Sequence, residues 1–190
     1  LPITPELKNI SDIELINFVR NGDNAAFTKI VGRYEKKIAA TIIGMIGKCD
    51  EADDIGQEVF IRFYKSINNF RGESALGTYL TRIAINLSLN EIRRRRIKRF
   101  FSFEEMLESG KDVGGDVELH DEKEKSEIVL NAVQELPAKY RSVVVLRLIE
   151  GCSTEETAGI LNLPLGTVLS RHARGQQKLR EILKPYISIL

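Results

Sequence analysis

The chain has 190 residues, 43% hydrophobic and 29% charged, with 28 Lys and Arg against 27 Asp and Glu for a net charge of +1. This balance is globular rather than disordered. No apolar run reaches the roughly 18–20 residues of a membrane span, and Leu1 to Pro5 lack the basic-then-apolar order of a secretory signal. Two cysteines, Cys49 and Cys152, and two histidines, His120 and His172, form neither a disulfide framework nor a ligand spacing, which points to the reducing cytoplasm.

Ser11-Asp12-Ile13-Glu14 has the form of a capping box opening a short helix, stopped after Asn21 by Gly22. Asp23 or Asn24 caps a second helix. Its stripe of Phe27, Ile30, Val31, Tyr34, Ile38, Ile42 and Met45 advances in steps of three and four, and Gly44 and Gly47 are expected to end it. A third helix starts near Glu51, where acidic side chains suit the positive helix end, and turns Ile55, Val59, Phe63 and Ile67 inward. Residues 68–74 break the period as a loop. A fourth helix from about Leu76 buries Leu80, Ile83, Ala84 and Leu87 and runs into a basic block from Arg93 to Arg99.

Residues 100–122, acidic and glycine-containing, read as a flexible linker. Beyond it, Ile128, Val129, Ala132, Val133 and Leu136 make one helix face. Pro137 restarts the chain, Val143, Val144, Leu146 and Leu148 supply the next inward face, and Gly151 stops it. Ser153-Thr154-Glu155-Glu156 is a second capping box, whose helix ends near Leu161. Asn162 suits a left-handed turn, and Pro164 suits the first turn of a final helix from about Leu165 to Leu183. No stretch alternates with period two. The expected fold is all-α, with two small helical domains at residues 8–99 and 123–190 joined by the linker.

The charge is sorted along the chain, so its sum misleads. The Arg93–Arg99 block and the basic C-terminal helix flank an acidic stretch from Glu104 to Glu127. Charges more than about 10 Å apart are largely screened at cellular salt, so these regions need not cancel in space.

Three constellations follow. A short capped helix, a tight turn and a longer helix carrying Thr167, Ser170, Arg171, Arg174 and Lys178 after Pro164 form a helix-turn-helix pattern. Short polar side chains let a backbone approach base edges, and arginines bond guanine in two places. Val168, His172, Gly175 and Leu179 make the inward stripe. The competing reading is a plain helical hairpin with a solvated basic face. The second constellation joins Phe70, Arg71 and Ser74 to Tyr79, Arg82, Asn86, Asn90, Arg93 and Arg94. Aromatics stack unpaired bases, Asn offers a donor and an acceptor to a base edge, and arginines neutralise phosphates. Alternatively, Phe70 and Tyr79 are core residues. The third places Glu51, Asp54 and Glu58 on one helix face with Gln57 among them. Such a face holds Mg²⁺, docks a basic protein or is merely solvated; Gln57 favours the protein. The chain lacks a phosphate-cradling loop, and no cofactor or metal is expected.

Asp53-Asp54-Ile55-Gly56-Gln57-Glu58-Val59-Phe60, Phe70-Arg71-Gly72-Glu73-Ser74, Thr78-Tyr79-Leu80-Thr81-Arg82 and the arginine block together resemble the first domain of bacterial extracytoplasmic-function (ECF) sigma factors. Leu136-Pro137-Ala138-Lys139-Tyr140-Arg141, Glu150-Gly151-Cys152-Ser153-Thr154-Glu155-Glu156 and Pro164-Leu165-Gly166-Thr167-Val168-Leu169-Ser170-Arg171 resemble the second. The resemblance spans roughly residues 11–184 in the family's order. It implies a non-enzymatic promoter-specificity subunit of RNA polymerase. Asp54, Gln57, Glu58 and Arg62 would meet the β′ clamp helices of the core, and the second domain the β flap. Phe70, Arg71, Ser74, Tyr79, Arg82, Asn86, Arg93 and Arg94 would recognise and melt the −10 element. Pro164, Thr167, Ser170, Arg171, Arg174 and Lys178 would read the −35 element. An anti-sigma factor is a further implied partner, and no membrane insertion is expected.

Departures from the family's pattern concern Gly56, Leu169, His172, Gln176 and Gln177. Gly56 and His172 replace apolar residues, and the other three replace frequent basic ones. The alternatives are a conventional transcriptional regulator using only the helix-turn-helix and a Mg²⁺-dependent nucleotide hydrolase built on Glu51, Asp54 and Glu58. The first leaves the aromatic loop unexplained, and the second lacks an opposing acidic helix.

Overall fold

The computed structural model describes residues 10–105 and 122–186, all of whose regular elements are helical. The front unit contains α1 (Asp12–Arg20), α2 (Asn24–Ile46), α3 (Asp50–Ser66) and α4 (Leu76–Glu105). The back unit contains α5 (Glu122–Glu135), α6 (Ala138–Val144), α7 (Thr154–Leu161) and α8 (Leu165–Leu183). A linker was expected over residues 100–122. Residues 100–105 instead continue α4, and 106–121 lie outside the described residues.

Local chemistry sets the helix ends. Ser11 Oγ accepts from the Glu14 amide, and the Glu14 carboxylate accepts from the Ser11 amide at 2.9 Å. Asp23 accepts from the amides of Ala25 and Ala26 to open α2. Gly47 closes it at φ 82°, a left-handed conformation that glycine adopts without strain. Gly44, expected to share in that stop, sits instead within α2. A Cβ there would lie 3.2 Å from Val145 and Ile149 of the back unit, so glycine admits the neighbouring chain.

α2 is the central helix of the front unit and packs against α1, α3 and α4. Leu15, Ile30, Ile38, Ile42, Val59, Phe63 and Leu80 are fully buried. Each such side chain contributes about 1.5–3 kcal/mol relative to exposure. Arg33 and the Tyr34 hydroxyl both bond Asp12, tying α1 to α2.

In the back unit, α6 passes into a single turn of π-helix at Val145–Ile149. Val144 packs on Gly175 of α8, and Val145 packs on Gly44 of α2. Leu148, expected inward, lies within this turn and is 50% exposed. Gly151 then reverses the chain at φ 66°.

The two units meet along a seam at the C-terminal end of α2. A helix end leaves carbonyls without intrahelical partners. Gln134 donates to the carbonyls of Ile43 and Gly44 at 3.1 and 2.7 Å, and Arg141 donates to that of Met45 at 2.7 Å. Arg95 donates to the Ile46 carbonyl at 3.0 Å. Three side chains from α4, α5 and α6 thus satisfy one helix terminus.

Candidate nucleic-acid and polymerase interfaces

The helix-turn-helix is built by α7 and α8. Ser153 and Glu156 form a reciprocal cap on α7. Asn162 turns the chain in the left-handed region at φ 51°, and the Leu163 amide returns to the Ala158 carbonyl at 3.0 Å. Val168 and Gly175 of α8 are buried, Gly175 directly against Val144 and Tyr140 of α6. On the outer face, Pro164, Ser170, Arg174 and Lys178 are exposed, while Thr167 and Arg171 are half-buried. Tyr140 of α6, absent from the sequence-derived site, supports this face. Burial pushes its hydroxyl up, but hydrogen bonding to Arg174 and the charge of Lys139 outweigh that and leave it below its usual range. His172 lies half-buried with Nε2 unpartnered. Burial, then the charge of Arg147, holds its imidazole below its ordinary range, favouring the neutral form.

The loop after α3 encloses a cleft of about 410 Å³ lined by Asn69, Phe70, Arg71, Ser74, Tyr79 and Arg82 among others. The aromatics belong to the core yet keep an open side. Phe70 and Tyr79 rings stand 5.1 Å apart in an edge-to-face pair, and both pack on buried Phe63 at 6.1 Å. They are anchored to the core yet half-exposed to the cleft. Arg20, which the sequence reading passed over, holds the loop by donating to the carbonyls of Ile67 and Phe70. Ser66 and Tyr79 hydroxyls share a hydrogen bond of 3.1 Å. Asn86 lies exposed one turn beyond Arg82, with Asn90 exposed a further turn on. Arg82 itself donates to the Gly159 carbonyl of α7 at 2.9 Å, so a front-unit candidate is engaged by the helix-turn-helix unit.

The arginine block divides into exposed and internally paired members. Arg93 is exposed and donates to Asn90, three residues earlier, at 3.3 Å. Arg94 and Arg95 both clamp Glu91, whose nearest contacts are 2.7 and 2.9 Å, and both reach Glu51. Hydrogen bonding to Arg94 holds the 8%-exposed Glu91 carboxyl below its usual range against the cost of burial. Arg94 therefore braces α4 against α3 while keeping an exposed side chain.

On α3, Asp54, Gln57 and Arg62 are exposed and Glu58 is half-buried. Glu58 pairs with Arg62 at 2.7 Å. Ile61 and Tyr64, 44% and 47% exposed, add apolar surface beside them. A mixed apolar and acidic face suits a protein partner. Glu51 turns away into its own backbone amide, Cys49 and Arg95, which lower its carboxyl. Among the described residues, no group of three His, Cys, Asp or Glu side chains is placed to hold a metal.

This arrangement matches known proteins in both halves. The family model for Sigma-70 region 2 covers residues 30–97, and that for Sigma-70, region 4 covers residues 126–179. The RNA polymerase sigma-H factor of Pseudomonas aeruginosa is 34% identical across 93% of this chain and 95% of its own. The ECF RNA polymerase sigma factor SigW of Bacillus subtilis is 37% identical across 89% and 95%, and the ECF RNA polymerase sigma-E factor of Escherichia coli is 34% identical across 95% and 98%. Among solved structures, the sigma factor RpoE of Bartonella quintana, in complex with the anti-sigma factor NepR, superposes with a TM-score of 0.66 at 25% identity over 83% of this chain and 96% of that one. CnrH, in complex with the cytosolic domain of CnrY, shares the fold at a TM-score of 0.67 and 23% identity over 90% and 96%. Two domain models in the expected order and relatives matched over nearly their whole length identify this chain as a member of the ECF sigma factors, a sigma subunit of RNA polymerase.

Proposed function

We propose that the two units recognise separate promoter blocks while α3 docks on core polymerase. The observation that carries this reading is the pair of chemically distinct free surfaces. One is the exposed face of α8 with Ser170, Arg174 and Lys178, and the other is the aromatic-walled cleft with Asn86 beyond it. The α8 face suits duplex DNA. Small and basic groups let it approach base edges, with Arg174 offering paired donors to guanine and Lys178 meeting phosphate.

The cleft suits an unstacked base of the −10 element. Phe70 and Tyr79 supply stacking surface, Ser74 and Asn86 supply polar contacts, and Arg71, Arg82 and Arg93 supply positive charge to the strand. Base–aromatic stacking of about 1–3 kcal/mol offsets an unstacking cost of a few kcal/mol, with polymerase contacts supplying the balance. Arg82 must release Gly159 before it can meet DNA. Asp54, Gln57, Glu58 and Arg62 form the polymerase-facing patch with Ile61, directed to the β′ clamp helices; the back unit is assigned to the β flap. No covalent step is required of any of these groups.

The anti-sigma factor NepR, bound to the Bartonella quintana relative, supports an anti-sigma factor as a further partner. No helix among the described residues is long and apolar enough to cross a membrane. A role on polymerase and DNA implies a cytoplasmic protein, which is part of this proposal.

Footprinting of reconstituted holoenzyme tests the assignment of blocks to units. Arg174→Ala should lose −35 protection and selectivity, by about 1–3 kcal/mol at one base position, while −10 opening persists on a promoter with extended downstream contacts. Unchanged −35 preference in that variant would reject the role given to α8.

A further inference from the structure

The outward face of α8 carries two large aliphatic residues, Leu165 at 47% and Leu169 at 57% exposure. At about 100° per residue, Ser170 lies near the centre of the exposed arc, opposite buried Val168 and Gly175. Arg174 and Lys178 occupy one flank, and Leu165 and Leu169 the other. Ala173, one turn beyond Leu169, is exposed and small, so Leu169 has open space beside it. A scattered exposed leucine requires no explanation. Two leucines in successive turns, next to Ser170 on the flank away from Arg174 and Lys178, pose a chemical question. Leucine cannot bond a phosphate, and against the donors and acceptors of guanine or cytosine it would strip water without replacing it. The major groove offers one apolar feature, the C5 methyl of thymine.

We infer that Leu169 is a specificity-determining residue that packs on a thymine methyl in the −35 block. The inference rests on the reading of α8 as the duplex reader. Where a cation at this position would bind any sequence through phosphate, leucine makes recognition depend on one base. The cost is one fewer salt-sensitive contact. The polar flank selects guanine or holds the backbone, and the apolar flank selects thymine.

The test uses holoenzyme reconstituted from the full chain and core polymerase. It is offered promoter-length duplexes with a randomised −35 block, synthesised with either thymine or deoxyuridine in that block alone. Wild type should enrich thymine at one position. Removing its methyl should weaken binding about fourfold, the equivalent of one buried carbon. Leu169→Ala should bind the thymine duplex about as weakly as wild type binds the uracil duplex, and should be indifferent to the methyl. Leu169→Met should keep the methyl dependence. Sequence enrichment that ignores the methyl, or a Leu169→Ala variant that keeps full methyl dependence, overturns this inference and leaves α8 as the reader. Absence of any enrichment in the −35 block overturns the reading of α8, and this inference with it.

Discussion

Gly175 and Gly56 both lie inside helices, where alanine is intrinsically favoured by about 0.8–1.0 kcal/mol. The structure gives them opposite expected responses. A Cβ on Gly175 would stand 2.8 Å from Val144 Cγ2 and 3.5 Å from Tyr140 Cβ. Carbon pairs prefer about 3.5–4.0 Å, and Val144 is short, β-branched and 1% exposed, so α6 and α8 must separate. Overpacking of this kind costs about 1–3 kcal/mol, which exceeds the propensity gain. Gly175→Ala should therefore destabilise by about 1 kcal/mol net. A Cβ on Gly56 would meet only Ile42 Cδ1, at 3.9 Å, an ordinary contact. Gly56→Ala should stabilise by about 0.5–1 kcal/mol. In a Val144→Ala background, the Gly175→Ala substitution should lose its cost, giving an interaction energy of about 1–2 kcal/mol. Urea unfolding followed by circular dichroism measures all four variants. A stabilised Gly175→Ala in the wild-type background would refute the close approach that positions α8.

Asp54→Arg reverses an exposed charge on the proposed polymerase-facing patch. It should abolish core binding in a pull-down while leaving helical content unchanged; retained affinity would remove that role. His172→Leu bears on pH. The folded state holds the imidazole below its ordinary pKa of about 6.5, so its contribution to stability is present above that value and is lost as pH falls through the lowered one. Thermal melts from about pH 7.5 to about pH 5 should therefore fall more steeply for wild type than for the variant, and parallel curves would contradict this. Arg141→Met removes the donor that satisfies carbonyls of Met45, Gln134 and Leu136. It should lower stability by about 2–4 kcal/mol, given about 1–3 kcal/mol per orphaned buried group. Arg141→Lys should recover little of that, because one ammonium cannot reproduce the planar fork. Urea midpoints near wild type in both would refute the seam's energetics.

Helix starts and stops were legible because capping is local. Ser11 with Glu14, Ser153 with Glu156, and Asn162 all lie within four residues of their hydrogen-bond partners. Inward stripes were legible wherever a helix has one buried face, as for Val59 and Phe63. What escaped was long-range. Arg141 and Met45 are 96 positions apart, and Arg20 and Phe70 are 50 apart. Nothing in periodicity separates a bridging arginine from a solvated one. Gly44 looked like a terminator because glycine weakens a helix, but it serves close packing between units. Leu148 looked inward because the π turn that rotates it outward has no sequence mark in a run of β-branched and aliphatic residues. Of the candidate site, the residue types on α8 and the loop were legible. The internal pairing of Arg94 and the engagement of Arg82 by Gly159 were not, since both depend on which elements fold beside them.

The most direct measurement is run-off transcription with purified core polymerase and a library of promoter fragments, sequencing the 5′ ends of the transcripts. With this chain added, new start sites should lie at a fixed distance downstream of two conserved sequence blocks, one of which loses its signature with Arg174→Ala. Transcript ends identical to those from core polymerase alone, or start sites specified by a single block indifferent to Arg174, would contradict the account.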